Sequence, residues 1–306
     1  MTRLPITKTP KVYVGGAFIR SESARVFPLA DATGNFFANI PQCTRKDLRN
    51  AVEAAAKAGP GWAKRTAYNR GQILYRLGEM LEARSAEMAE AILLGNGAAT
   101  SPSSSGTRRG RRVSNSAAAA RQEVAATVDR LIYYAGWADK YEQVLGSVNP
   151  VAAPYFNFTV TEPMGVVGVL APEDAPLLAL VSLLAPAMTS GNTVVALASR
   201  TQPYPAIVLG EMLATSDLPG GVVNLLTGFR AELIPTFATH AHLRAIVAVA
   251  SADERKTLAM GSAESVKRTR FFKAEEKTDW FAGTAQSLDA IHDTLEFKTT
   301  WHPVGA

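Results

Sequence analysis

The side chains that could perform chemistry are few in this sequence, and its single cysteine, Cys43, is the first of them. One cysteine excludes a disulfide within these residues and a site with several cysteine ligands to zinc. Cys43 lies in the turn before a predicted helix, a position that can lower the pKa of a thiol. Because no cysteine–histidine spacing and no nucleophile-elbow motif accompanies it, we expect an inert cysteine.

The histidines offer a second candidate chemistry, metal binding. His240 and His242 have the spacing of two ligands, but they fall between a predicted helix and a predicted strand with no third ligand nearby in sequence. His292 and His302 are isolated. We therefore expect no metal site.

Residues 171–200, APEDAPLLALVSLLAPAMTSGNTVVALASR, have the strand–helix–strand layout of a nucleotide-binding unit. The turn carries Glu173 and Asp174, where a pyrophosphate would need amide donors free of negative charge. The second strand ends in Ala196, Leu197 and Ala198, which offer a ribose no polar side chain. The architecture predicts nucleotide binding, whereas these side chains argue against it.

The net charge of +5 raises the question of nucleic-acid binding, and most of it is local. Residues 106–112 contain Arg108, Arg109, Arg111 and Arg112, inside a Ser/Gly/Ala-rich stretch (96–120) that we expect to be a flexible loop. Because no aromatic side chains for base stacking are interleaved with these arginines, nucleic acid is not an expected partner.

The remaining sequence predicts the elements that must position any site. Hydrophobic residues make up 47% and charged residues 19%, as in a globular protein with a large core. No apolar run reaches the length of a membrane span, and the first residues do not form a signal peptide, so we expect a cytoplasmic protein without a membrane partner.

Strands and helices alternate from residue 164 onward, which predicts a doubly wound α/β fold with a parallel sheet of at least four strands. A helix is expected after Thr44, capped together with Asp47, and another is expected to resume at about Gln122. Two segments alternate as strands outside this unit, YFNFTVTEP (155–163) and one in the tail LEFKTTWHPVGA (295–306).

A set of phrases, in this order, resembles the aldehyde dehydrogenase superfamily. They are KVYVGGAFI, DATGNFFANIPQ, RKDLRNAVEAAAKAGPGWAK, RGQILYRLGEMLEAR, LIYYAGWADK, TEPMGVVGVLAP, LLAPAMTSGNTVV and DLPGGVVNLLTG, covering most of residues 11 to 250. The resemblance implies a Rossmann-like cofactor domain, a catalytic domain and a small bridging sheet for oligomerisation. Its chemistry is NAD(P)-dependent aldehyde oxidation by a cysteine thiolate, completed by water that a glutamate activates.

The catalytic roles of that family find no counterpart here. No cysteine follows residue 250, Phe272 stands at the position of the glutamate base, with Glu275 and Glu276 close by in sequence, and Asp174 replaces the asparagine that stabilises the oxyanion. We therefore assign no catalytic residue.

The cofactor site implied by the resemblance is also depleted. Leu197 and Arg200 stand where the family holds the adenine ribose, and Arg230 replaces the second glycine of a Gly-x-Gly turn. What remains is a vestigial site, formed by Pro172, Gly228 and Ser251. No cofactor is expected, with NAD or NADP bound weakly or not at all.

The resemblance also implies a domain organisation. Residues 1–145 and 162–275 match the dinucleotide-binding domain, residues 146–161 and 294–306 the bridging strands, and the catalytic domain is missing, as in the truncated second half of double-domain aldehyde dehydrogenases. We expect a pseudoenzyme that forms homo-oligomers or associates with a full-length aldehyde dehydrogenase. The alternative is an NAD(P)-binding aldehyde oxidoreductase component that uses a partner's catalytic domain.

Overall fold

Strands and helices alternate along the chain of a computed structural model that describes residues 8–31, 34–94 and 116–305. The strands are β1 (Val12–Val14), β2 (Ala17–Ile19), β3 (Val26–Ala30), β4 (Phe36–Pro41), β5 (Ser147–Asn149), β6 (Tyr155–Pro163), β7 (Val166–Leu170), β8 (Thr193–Leu197), β9 (Val223–Leu226), β10 (Leu243–Ala250), β11 (Arg268–Lys273) and β12 (Leu295–Pro303). The helices are α1 (Arg45–Ala63), α2 (Ala67–Ala83), α3 (Ser85–Leu94), α4 (Ala117–Trp137), α5 (Tyr141–Leu145), α6 (Leu178–Thr189), α7 (Tyr204–Leu213), α8 (Arg230–Thr239), α9 (Ala252–Ala263) and α10 (Leu288–His292).

The central sheet has seven strands in the order β11-β10-β7-β8-β9-β1-β2. The five strands from β11 to β9 are parallel, while β1 joins β9 and β2 joins β1 in antiparallel pairs. The chain moves outward from β7 through β8 to β9 and then returns to the other side of β7 as β10. The strand order therefore reverses between β7 and β10, and the predicted doubly wound fold is confirmed.

Helices cover both faces of this sheet. One core cluster joins α2, α3, α4 and α6 to one face, and a second joins α1, α8 and α9 to the other. Every residue of β7, β8 and α6 is buried. This double burial explains why these segments read as continuous apolar runs instead of alternating patterns.

A smaller antiparallel sheet stands apart from the central one in the order β12-β6-β5. β12 pairs with β6 along its whole length, from Leu295 opposite Pro163 to Pro303 opposite Tyr155. Residues 274–294 connect β11 to β12, and the buried Arg130 of α4 holds this connection by donating to the carbonyl oxygens of Trp280 and Ala285, at 2.9 and 2.8 Å. Both predicted bridging segments thus lie in one sheet.

Local differences from the sequence-based expectations have identifiable causes. The helix α4 begins at Ala117 instead of Gln122, because Ser116 caps it by accepting from the amide of Ala119 and alanines continue it well. Thr44 and Asp47 form the expected capping box. The rest of the predicted flexible loop, from 96 to 115 and including the four arginines, lies outside the described residues.

Within the described ranges, no helix is both long and apolar enough to cross a membrane.

The hairpin between β1 and β2 fixes the end of the central sheet through a close backbone contact. Gly16 has a φ of +86°, and a Cβ added there would lie 2.8 Å from Cα of Gly220. Gly34 has a similar φ of +90°, but an added Cβ would meet no atom of the described chain within 4 Å.

Replacing Gly16 with alanine should therefore combine two penalties, left-handed backbone strain of about 1–2 kcal/mol and overpacking of about 1–3 kcal/mol. Gly34→Ala, the control, should show only the first. Urea unfolding of both variants measures the difference. Equal losses in the two variants would mean that the contact with Gly220 contributes nothing to stability.

Candidate functional site

A pocket of about 530 Å³ lies at the carboxyl ends of the parallel strands, where doubly wound sheets bind their ligands. Residues that follow β7, β9 and β11 form its wall together with the end of β10. Its lining consists of Pro172, Glu173, Asp174, Arg230, Val249, Glu254, Ala274, Glu275, Glu276, Lys277, Thr278 and Trp280. Five carboxylates against two cations make the lining acidic.

Glu123 occupies the N-terminus of α6, the helix that follows β7. Its Oε1 accepts from the amides of Leu177 and Leu178, at 2.9 and 3.2 Å. The side chain reaches this position from α4 and is buried. Burial raises the pKa of Glu123, the two amide bonds lower it in part, and the charge of Asp174 raises it further. The amides that could meet a phosphate at this helix thus already have an acceptor.

Glu173 satisfies the turn between β8 and α7 in the same way. Its carboxylate accepts from the hydroxyls of Ser199 and Thr201 at 2.8 and 2.7 Å, and from the amides of Thr201 and Arg200 at 2.9 and 3.3 Å. A second carboxylate is therefore held where the chain leaves a central strand.

Glu254 is the third carboxylate, at the N-terminus of α9. It forms a capping box with Ser251: the amide of Ser251 donates to Glu254 at 2.9 Å, and the amide of Glu254 donates back to the hydroxyl of Ser251. A carboxylate at a helix N-terminus is favoured by the helix dipole. An external anion at α9 would have to share this end of the helix with a charge already present.

Arg230, the first residue of α8, crosses from its own helix to this capping box. Its guanidinium donates to Glu254 at 2.8 and 3.1 Å, and also to the carbonyl oxygens of Ala171 and Val249, at 2.9 and 2.6 Å. Because Ala171 follows β7 and Val249 belongs to β10, Arg230 spans the point where the strand order reverses. Burial alone would raise the pKa of Glu254, but hydrogen bonds from Arg230 and Ser251 lower it overall.

The three residues of the predicted vestigial cofactor site each have structural contacts. Pro172 is buried in the pocket wall, and Ser251 caps α9. Gly228 has a φ of +150°, and a Cβ there would lie 3.2 Å from the carbonyl oxygen of Cys43. Of the three, the structure places Pro172 in the lining of the pocket, and the identity of Gly228 follows from backbone packing.

The residues that differ from the family's pattern make packing contacts or, in the case of Arg230, an ion pair with Glu254. Leu197 is fully buried at the end of β8, and the guanidinium of Arg200 lies 4.6 Å from the ring centre of Phe229. Phe272 packs against Trp280, with ring centres 5.5 Å apart.

The pKa values of Glu275 and Cys43 do not suit the roles of a general base and a thiolate nucleophile. Hydrogen bonding, chiefly from Arg255, lowers the pKa of Glu275 to about 2, which makes it a poor proton acceptor. Burial raises the pKa of Cys43 to about 12, so the thiol is protonated at neutral pH. Partial burial, followed by the charge of Glu173, raises the pKa of Asp174.

No group of three or more histidine, cysteine, aspartate or glutamate side chains in the described part of the chain could hold a metal ion. The rings of His240 and His242 lie 6.0 Å apart, edge to face.

Sequence reasoning missed Glu123, because its partners are 54 and 55 residues away. One signal was present: Glu123 falls on the face of α4 that carries the buried Ala120, Val124, Thr127 and Leu131. A carboxylate on a buried helix face needs a donor, and that requirement could have directed attention to a nearby helix N-terminus.

Replacing Glu123 with glutamine tests how ionisation of this buried carboxyl group affects the stability of the fold. Both amide bonds go to one oxygen, which the glutamine carbonyl can replace. Because the pKa of Glu123 is raised in the folded protein, its contribution to stability is present below its unfolded pKa and is lost as the pH rises through its folded pKa. The variant lacks this loss, so its stability relative to the parent should increase as the pH rises above about 4, the ordinary pKa of a glutamate.

Urea unfolding at several pH values measures this dependence, with Glu123→Ala as the control. The alanine variant leaves two buried amides without an acceptor and should be less stable than Glu123→Gln by about 2–4 kcal/mol at every pH, since neither variant titrates at this position. A pH-independent difference between parent and Glu123→Gln would contradict a raised pKa at this residue.

Known proteins share both this sequence and this fold. The model of the aldehyde dehydrogenase family matches residues 18–118 and 109–271. Retinal dehydrogenase 2 of Gallus gallus is 32% identical over 255 residues, which cover 82% of this chain and 46% of the relative. The mitochondrial aldehyde dehydrogenase of Rattus norvegicus is 28% identical over 312 residues, covering 94% and 54%.

Solved structures agree. The NAD⁺ complex of an aldehyde dehydrogenase from Bacillus cereus superposes with a TM-score of 0.76 at 25% identity, covering 86% of this chain and 50% of that one. PnpE from Pseudomonas sp. WBC-3 gives a TM-score of 0.77 at 26% identity, with 87% and 51% covered. This chain thus spans about half the length of the relatives it matches. With the family model matched across most of its residues and the parallel sheet reproduced, the chain belongs to the aldehyde dehydrogenase family.

Proposed function

We propose that this chain is a non-catalytic aldehyde dehydrogenase-family subunit, which does not bind NAD or NADP tightly, does not oxidise aldehydes by itself, and acts by associating with other subunits. The main support for the proposal is that the protein's own side chains already bond the backbone amides at the carboxyl edge of the central sheet. Glu123, Glu173 and Glu254 accept from the amides at the ends of three central strands, and Arg230 spans the ends of β7 and β10.

A pyrophosphate does not fit this arrangement. It would have to displace carboxylates from amides that they already satisfy, and it would then lie beside their negative charges in an acidic pocket. The ribose would meet Leu197, which has no hydrogen-bonding group, so we derive no step of a reaction through the nicotinamide.

The chemical groups of aldehyde oxidation also lack counterparts in the described residues. Cys43 is buried and protonated, and Asp174 would repel a developing oxyanion. Between β11 and β12 the chain has residues 274–294 alone, and these pack on the domain through Arg130 and the buried Trp280. This connection is too short to hold a catalytic domain at that point of the chain.

The three-stranded sheet supports the second half of the proposal, association. Large hydrophobic side chains on it are between 37% and 67% exposed: Val148, Tyr155, Phe156, Val160, Phe297 and Trp301. Exposed aromatic residues on an open sheet, here distributed over both of its faces, are typical of an interaction surface. A second copy of this chain and a full-length aldehyde dehydrogenase are the two candidate partners.

Calorimetric titration with NAD and with NADP tests the proposal. We expect no saturable binding below about 1 mM for either nucleotide, and no reduction of NAD in the presence of aldehydes. The aldehyde dehydrogenase of Bacillus cereus, a family member solved with NAD⁺, serves as the positive control. Micromolar affinity would contradict the proposal and would favour the alternative, a nucleotide-binding component that uses the catalytic domain of a partner.

Arg230→Gly extends the titration, because it removes the guanidinium from the ends of β7 and β10 and restores a second glycine beside Gly228. If Arg230 is the main obstacle, this variant should bind NAD at least about tenfold more tightly than the parent. Arg268→Gly removes an exposed, ion-paired arginine from β11 and should leave binding unchanged. Binding that stays absent in Arg230→Gly would assign the obstruction to the three carboxylates and Leu197.

A further inference from the structure

The strand β12 has a free edge. Among the described residues, β6 is its one hydrogen-bonded neighbour, and beyond Leu295 and Glu296 all its side chains are exposed. An unpaired strand of this length is a template for pairing with another chain unless its sequence prevents it. The residues along the free edge therefore decide what can pair there.

The backbone direction along β12 follows from a single hydrogen bond at its end. The amide of Val304 donates to the carbonyl oxygen of Pro154 at 2.9 Å, continuing the register in which Pro303 lies opposite Tyr155. In an antiparallel pair the N–H and C=O of one residue point to the same side and alternate along the strand. The even-numbered residues of β12 thus face β6, and Phe297, Thr299 and Trp301 point their amides and carbonyls to the free edge.

We propose that β12 pairs, antiparallel and edge to edge, with β12 of a second copy of this chain, about a two-fold axis through Thr299. The proposal rests on association as the function and names the partner. In this register Thr299 faces itself, Phe297 faces Trp301, Lys298 faces Thr300, and Glu296 faces His302. The strand is therefore complementary to itself: aromatic meets aromatic, and the acidic residue meets the histidine.

The neighbouring registers are less favourable. A shift by one position places an outward-pointing backbone group opposite an inward-pointing one, so no ladder can form. Centring the axis on Lys298 sets two like charges directly opposite each other, in the pair type that brings side chains closest. Centring it on Thr300 brings Pro303, which has no N–H, into the ladder opposite Phe297. In the register centred on Thr299, Pro303 lies only at the end of the pair, opposite Leu295, and the outward-facing Phe297, Thr299 and Trp301 between them all have an N–H.

The side chains of the existing sheet continue into the proposed one. The rings of Tyr155 and Trp301 already form an edge-to-face pair with centres 5.8 Å apart, and Phe297 of the second copy would extend this cluster. The hydroxyls of Thr159 and Thr299 lie 3.0 Å apart and would become half of a threonine row across the axis. Pairing would thus extend an aromatic row and a threonine row that the subunit already contains.

Cysteine cross-linking tests the register directly, because the native Cys43 is buried and should not interfere. In the proposed pair the two Thr299 Cα atoms lie about 5.5 Å apart, within the range of a disulfide. Thr299→Cys should therefore form a covalent dimer under mild oxidation. Thr300→Cys is the matched control: its two copies are diagonal neighbours at about 7–8 Å, too far for efficient bridging.

Sedimentation of charge variants provides a second measurement that does not depend on cross-linking. Thr299→Lys and Thr299→Glu each place like charges on the axis and should raise the dissociation constant of the dimer by about tenfold or more. An equimolar mixture of the two should restore dimers. Thr269→Lys, on the edge strand β11, should leave the dimer unchanged.

A parent chain that is monomeric at micromolar concentration, or a cross-link at position 300 as efficient as that at 299, would overturn the proposal. These outcomes are distinct from failure of the non-catalytic function. A dimer that binds NAD tightly would contradict the non-catalytic function alone. A monomer that binds a full-length aldehyde dehydrogenase and no NAD would contradict the self-pairing of β12 alone.

Discussion

The arrangement of helices and strands at the carboxyl edge of the sheet depends on one guanidinium, that of Arg230. It joins α8 to the capping box of α9 and bonds the backbone of β7 and β10 at once. Arginine suits this place because its planar donors can serve several acceptors in fixed directions. A partly buried charge of this kind is tolerated when a paired carboxylate and further hydrogen bonds satisfy it, and Glu254 with two carbonyl oxygens meets that condition. At the crevice of the doubly wound fold, Arg230 thereby links α8, α9, β7 and β10 through the protein's own groups.

The unpaired backbone amides that bind nucleotide phosphates at this edge in other doubly wound proteins bind the protein's own carboxylates here. Helix N-termini and strand-to-helix turns present unpaired amides, which attract either a bound phosphate or a carboxylate of the protein itself. In this chain Glu123 and Glu254 occupy two helix N-termini and Glu173 occupies a turn. A protein carboxylate has the advantage of being held in place by its own chain, so a ligand must overcome an interaction that is already formed. Buried carboxylates have a cost of their own, as the raised pKa of Glu123 indicates.

The central sheet and the small sheet differ in what stabilises them. The central sheet is buried on both faces by helices, whereas the small sheet exposes aromatic side chains and a free edge. Small sheets without a covered face have little stability of their own and gain it from added strands or packed surfaces. The connection through residues 274–294, held by Arg130, fixes where this sheet leaves the domain.

The doubly wound sheet was predictable from local pattern, because strands buried on both faces require apolar runs and the links between them are short. The cap at Thr44 and the strand character of the two outer segments were also predictable, since they depend on neighbouring residues and on a period of two. The contacts at the carboxyl edge of the sheet, in contrast, become visible only in the folded chain. Glu123 reaches α6 across more than 50 positions, Arg230 bonds residues of two other strands, and Gly228 is explained by the backbone of Cys43. These contacts are set by how helices cross the sheet, a geometry that local pattern and residue type do not encode.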